Sequence, residues 1–108
     1  MMGDVIFEEG SIGSHMYVVS RGKVNISRRN NGENKIFAVL DKGSIFGEMA
    51  LVDNLPRSAT AVAAEDNTII LEIDQSLFVY IVGQQPAFAL TLIKTLSLRF
   101  RQQIADRP

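Results

Sequence analysis

Between Phe46 and Ala61 the chain reads Phe46-Gly47-Glu48-Met49-Ala50-Leu51-Val52-Asp53-Asn54-Leu55-Pro56-Arg57-Ser58-Ala59-Thr60-Ala61. This short window holds a carboxylate and a guanidinium among small residues. Gly47 permits a tight backbone turn. Glu48 to Val52 then reads as a short helical turn, so several N–H groups are expected to emerge unpaired at its start, where an anion is favoured. Arg57 returns across the Asp53-Asn54-Leu55-Pro56 turn, and its planar fork suits two oxygens of a phosphate. Glu48 cannot hold a phosphate, but an ionised carboxylate accepts well from a hydroxyl. A ligand with a phosphate beside a hydroxyl would engage all these groups at once. A ribose cyclic phosphate is such a ligand.

The elements that must position this segment are short strands. Val5-Ile6-Phe7 is apolar and ends at Glu9-Gly10-Ser11, with a second glycine at Gly13. Met16-Tyr17-Val18-Val19 stops at Ser20-Arg21-Gly22, and Lys23-Val24-Asn25-Ile26-Ser27 alternates, placing Val24 and Ile26 on one face. Asn31-Gly32 inside the polar run 28–34 predicts a hairpin turn, with a return strand over Lys35 to Leu40 before Asp41-Lys42-Gly43. Thr60 to Ala64 and Thr68 to Ile73 read as a further strand pair around Glu65-Asp66-Asn67. Strands at this spacing predict an antiparallel sandwich or barrel.

The pattern changes at Asp74, an N-cap for a short helix over Gln75 to Val82 that Gly83 is expected to end. Pro86 suits the first turn of a second helix running to about Ala105. Its Phe88, Leu92, Leu96, Phe100 and Ile104 step by four and form a slowly rotating apolar seam. The reading is a single domain over residues 1–108, with a strand-rich part at 1–73 and helices at 74–108.

At 108 residues the chain is long enough for one core, and no apolar run approaches a membrane span. Eleven basic and 12 acidic residues leave a net charge of −1, without the basic excess of a nucleic-acid binder. The absence of cysteine excludes disulfides, thiolate metal sites and cysteine catalysis. The N-terminus carries no signal pattern, so a reducing cytoplasm is the expected compartment. His15 is the one histidine and reads as an ordinary surface residue, which counts against an enzyme needing several imidazole metal ligands.

The window from Phe46 to Thr60 resembles the phosphate-binding cassette of cyclic nucleotide-binding domains. That pattern is Phe-Gly-Glu-(Leu/Met)-Ala-Leu followed by Pro-Arg-(Ser/Ala/Thr)-Ala-Thr, and this chain fills it in register. Gly10, Gly22 and Gly43 stand at turns where the family also uses glycine, so the similarity covers nearly the whole chain. The resemblance implies a mainly β (α+β) fold: an antiparallel β-roll or jelly roll with a short cassette helix and two C-terminal helices. Family members usually carry a helical segment and a strand before the region matching Gly3 to Phe7. Here almost nothing precedes it: either the sequence is trimmed or the first β-element is missing, and a missing strand would leave a sheet edge or apolar surface uncovered.

Residue by residue, the resemblance gives Glu48 the ribose 2′-hydroxyl, Arg57 the exocyclic phosphate oxygens, Ser58 a phosphate contact and Ala50 a main-chain amide. Gly47, Met49 and Ala59 complete the ligand-binding run, the side chains of Met49 and Ala59 being read as packing together with Leu51 and Thr60. Val39, Phe46 and Val62, with Leu40, are candidates for the base pocket, and Arg99 and Gln103 for a lid. Family members that prefer cyclic GMP often carry threonine where Ser58 stands, so cyclic AMP is favoured and cyclic GMP retained.

The function implied is a non-enzymatic regulatory receptor for a cyclic nucleotide, with no cofactor or metal. Occupancy would be transmitted through the C-terminal helices, and a homodimer through the last helix is expected. No membrane or nucleic-acid contact by this chain itself is implied. The alternatives are a fragment of a cyclic AMP-responsive transcription regulator, or an interaction domain that has lost its ligand; intact Glu48 and Arg57 argue against the second.

Overall fold

A computed structural model describes residues 1–51 and 55–105, the side chains of 102–105 excepted. The chain divides into two compact units that meet in sequence between Asp74 and Gln75. In the first, β1 (Val5–Phe7), β6 (Thr60–Ala63), β3 (Val24–Asn30) and β4 (Glu33–Leu40) lie side by side in that order. A second sheet sets β2 (Met16–Arg21) between β5 (Ile45–Phe46) and β7 (Ile69–Ile73). Neighbouring strands in both sheets are antiparallel.

The core lies where the inward faces of the two sheets meet. Val24 and Ala61 come from the first sheet, and Tyr17, Val19 and Phe46 from the second. Ile6, Phe7, Ile26, Leu40 and Ile70 pack around them, half-buried. Each fully buried side chain of this size stabilises the fold by about 1.5–3 kcal/mol. The resulting β-roll matches the fold class expected from the sequence.

Three local expectations are corrected. Asn31 and Gly32 both take positive φ, 57° and 82°, as a tight two-residue hairpin turn requires. Pairing therefore resumes at once with Asn30 opposite Glu33, and β4 begins two residues before Lys35. The segments flanking Glu65-Asp66-Asn67 do not pair with each other. Strand β6 already has β1 on one edge and β3 on the other, so β7 crosses to the second sheet and pairs with β2.

The third correction lies in the helical unit. Helix α1 (Gln75–Gln84) runs through Gly83, whose φ is not in the left-handed region. The chain breaks instead before Pro86, which lacks an N–H and disfavours a helical residue ahead of it. Gln85 closes the last turn, its N–H donating to the Ile81 carbonyl at 2.7 Å. Helix α2 (Ala87–Ala105) then starts as expected, and Phe88 meets Phe78 of α1 edge-on with ring centroids 5.9 Å apart. Among the described residues no single helix is long and apolar enough to cross a membrane.

The predicted seam on α2 is split. Phe88 and Leu96 are half-buried and Leu92 buried, but Phe100 is exposed and continues a second apolar row with Leu90 and Ile93. The Ile104 side chain lies outside the described residues.

Candidate functional site

Arg57 is positioned first by its backbone. Its N–H donates to the Ser11 carbonyl and its own carbonyl accepts from the Gly10 N–H, both at 2.8 Å. The side chain then turns inward and only 8% of the residue is exposed. Nη1 donates to the Gly47 carbonyl and Nη2 to the His15 carbonyl, each at 2.9 Å. The guanidinium carbon sits 4.2 Å above the Phe7 ring centre and 5.6 Å from that of Tyr17. Nε is buried without a hydrogen-bond partner among the described residues.

Two glycines make room for this group. A Cβ on Gly13 would stand 2.7 Å from Nε, and one on Gly47 would stand 2.8 Å from Nη1. Gly47 also has φ 71°, which a side chain rarely tolerates. The cation is thus set on an aromatic floor and held by neutral carbonyls, which orient it without cancelling its charge. A buried cation so held favours an anion.

The floor is the edge of the core. Phe7, Tyr17 and Phe46 contact one another pairwise with centroids 5.3–5.9 Å apart. Burial pushes the Tyr17 hydroxyl above its ordinary pKa; the Arg57 charge and hydrogen bond oppose the rise, and Glu72 adds to it.

Beside this floor, Glu48–Leu51 form a single 3-10 turn with Glu48 and Leu51 buried, Ala50 half-buried and Met49 exposed. The Ala50 N–H turns back to the Gly47 carbonyl at 3.3 Å. That differs from the row of unpaired amides expected at a helix start, because a four-residue 3-10 turn closes its own i→i+3 bond. Val52 lies outside the described residues. Ser58 is exposed, and its carbonyl accepts from Arg28 Nε at 3.2 Å. Ala59 is buried, and Thr60 Oγ1 accepts the Glu9 N–H at 2.9 Å.

The remaining sequence candidates are scattered. Phe46 belongs to the core stack and is almost wholly buried. Val39 and Val62 share a cross-strand row through Asn25, with Val39 more than half exposed and Val62 half-buried. Arg99 is half-buried on α2, in the other unit, and the Gln103 side chain lies outside the described residues.

Four residues that hold Arg57, namely Phe7, Gly13, His15 and Tyr17, were not assigned a role by sequence reasoning. His15 acts through its carbonyl, which no side-chain pattern announces. Gly13 acts by the Cβ it lacks: its φ is outside the left-handed region, and the close approach of the Arg57 guanidinium, seen only in the structure, accounts for the glycine.

Comparison with known proteins bears on the family and the fold. A family model described as the cyclic nucleotide-binding domain matches residues 1–85. The cyclic AMP receptor protein of Thermus thermophilus is 37% identical over 101 residues, covering 93% of this chain and 46% of that protein. Human cGMP-dependent protein kinase 2 is 36% identical over 83 residues, covering 75% of this chain and 11% of the kinase. The crystal structure of Thermus thermophilus catabolite activator protein superposes with a TM-score of 0.87 at 35% identity, covering 97% of this chain and 49% of that one. The chain thus spans less than half the length of these relatives. By the family match, the fold and the identity over most of its length, it belongs to the cyclic nucleotide-binding domain family.

Proposed function

We propose that the chain is a regulatory receptor module that binds cyclic AMP in preference to cyclic GMP and leaves it chemically unchanged. The observation that carries this reading is Arg57: a buried cation on an aromatic floor, oriented by two carbonyls and with Nε unpaired. The single negative charge of a cyclic phosphate complements it. Glu48, buried one residue after Gly47, takes the ribose 2′-hydroxyl, and the Ser58 hydroxyl supplies a further phosphate contact. Gly47, Ala50 and Ala59 shape the backbone around the phosphate, with Met49 at the rim. Val39 and Val62 serve the base, and Phe46 supports the floor from below.

Preference for cyclic AMP rests on Ser58, and on the similarity to a cyclic AMP receptor over more of this chain than to a cGMP-dependent kinase. Occupancy biases the ordering of α1 and α2 as a population shift, since a ligand moves an equilibrium only by its differential affinity for the two states. The exposed row Leu90, Ile93 and Phe100, three and seven residues apart with Ser97 at the position between, lies along one stripe of the helix and joins two copies.

Calorimetric titration with cyclic AMP, cyclic GMP and 5′-AMP tests the reading. Tightest binding of cyclic AMP, with 5′-AMP failing to compete, is expected. Equal binding of 5′-AMP, or its appearance on incubation with cyclic AMP, would reject a receptor for the cyclic phosphate. Hydrogen exchange in α1 and α2 with and without ligand tests transmission.

A further inference from the structure

A second cationic cavity lies on the β3–β4 hairpin. Arg28, Arg29, Asn30, Lys35 and Phe37, all exposed, line an open depression of about 330 Å³ there. Three of the five are cations and none is an acid. Glu9 accepts the main-chain N–H of Arg29, and Glu33 stands opposite Asn30 in the hairpin.

The register makes the clustering costly without an anion. Arg28 and Lys35 are direct cross-strand partners, an arrangement that like charges disfavour. Nearby, pairing shifts from Ile26 opposite Ala38 to Ser27 opposite Ile36, leaving Phe37 as the extra residue of a bulge. Bulges re-aim side chains. Here Phe37 is more than half exposed, with the Arg28 guanidinium 4.6 Å above its ring centre.

We propose that this cavity is a second site, separate from Arg57, for a nucleoside 5′-polyphosphate. Arg28 and Lys35, cross-strand partners on one face, match a di- or triphosphate, which carries several charges where a cyclic phosphodiester carries one. The Phe37 face takes the base by stacking. Arg28 also donates to the Ser58 carbonyl, so a ligand that draws Arg28 toward its phosphates pulls on the segment beside Arg57. The two ligands then alter each other's affinity by the same factor.

The test is calorimetric titration of the intact chain with ATP and with inorganic triphosphate. ATP is expected to bind the wild type and Arg57→Ala alike, and to bind still when cyclic AMP is saturating. Lys35→Glu should weaken it by roughly tenfold or more, and Arg29→Glu, on the other face of the strand, by less. Phe37→Ala should weaken ATP while sparing inorganic triphosphate. Thermal melts check folding, and Lys35→Gln replaces the charge reversal if that variant is unstable. Absence of ATP binding overturns the proposal, as does its loss in Arg57→Ala or one-for-one displacement by cyclic AMP. Equal affinity for inorganic triphosphate, unmoved by Phe37→Ala, overturns the nucleotide assignment. ATP binding to a chain that ignores cyclic AMP would sink the receptor reading and leave this site standing.

Discussion

Gly13 is the wall against which Arg57 is set: a Cβ there would lie 2.7 Å from Nε and 2.8 Å from Cζ of the guanidinium. Because φ at Gly13 is not in the left-handed region, alanine fits the backbone and only the arginine must move. Gly13→Ala is therefore expected to separate folding from binding. A displaced charged hydrogen bond is worth about 1.5–3 kcal/mol, so affinity for cyclic AMP should fall by roughly tenfold or more. The variant should still fold cooperatively, with the melting temperature lowered by about 4–8 °C for each kcal/mol of these in-chain bonds lost, read by circular dichroism beside calorimetry. Unchanged affinity would mean that this arginine position is not the one used for binding.

Arg57 itself tests whether geometry or charge matters. Lysine keeps the charge but loses the planar fork that reaches the Gly47 and His15 carbonyls together. Arg57→Ala and Arg57→Lys are both expected to weaken cyclic AMP by at least about tenfold, since truncating one partner of a buried charge pair costs about 2–5 kcal/mol. Wild-type affinity in Arg57→Lys would show that charge alone suffices.

Tyr17 gives a prediction in pH. Its pKa is raised above the ordinary 10.0, first by burial, so the folded state holds the phenolic proton more tightly than the unfolded chain does. Its contribution is complete below pH 10.0 and is lost as pH climbs from there through the raised value. Tyr17→Phe should flatten the alkaline end of a urea-melt stability profile. An identical decline in the variant would assign it to other groups.

Ile93 tests association through α2. It stands in the exposed row between Leu90 and Phe100, where a carboxylate is open to water in the single chain. Ile93→Glu should leave the melting profile of dilute protein nearly unchanged and shift sedimentation from dimer to monomer. A monomeric wild type at high concentration would remove the proposed dimer.

The residues of the proposed site were nameable from sequence because the cassette is local: Gly47, Glu48, Arg57 and Ser58 fall within one turn-and-return segment whose spacing is visible without a fold. The Asn31-Gly32 hairpin was legible for the same reason, since both residues are chosen for their own positive φ. Helix α2 announced itself by a long apolar period, and the seam was half right. Periodicity says which positions are apolar, whereas burial depends on which row meets a neighbour, so Phe88 and Leu92 went in and Phe100 stayed out.

Tertiary structure decided everything that joins distant segments. That β6 and β7 belong to different sheets follows from β1 and β3 occupying both edges of β6, which no local pattern encodes. That Gly83 does not end α1 follows from Pro86 doing so, and glycine alone permits a stop without imposing one. Most of all, the residues that aim Arg57 are Gly13, His15, Phe7 and Tyr17, about 40–50 positions away in the chain. Two of these act through a carbonyl and a missing Cβ. Sequence named the arginine; only the folded β-roll brings it the aromatic floor and carbonyl clamps that keep a buried charge ready for an anion.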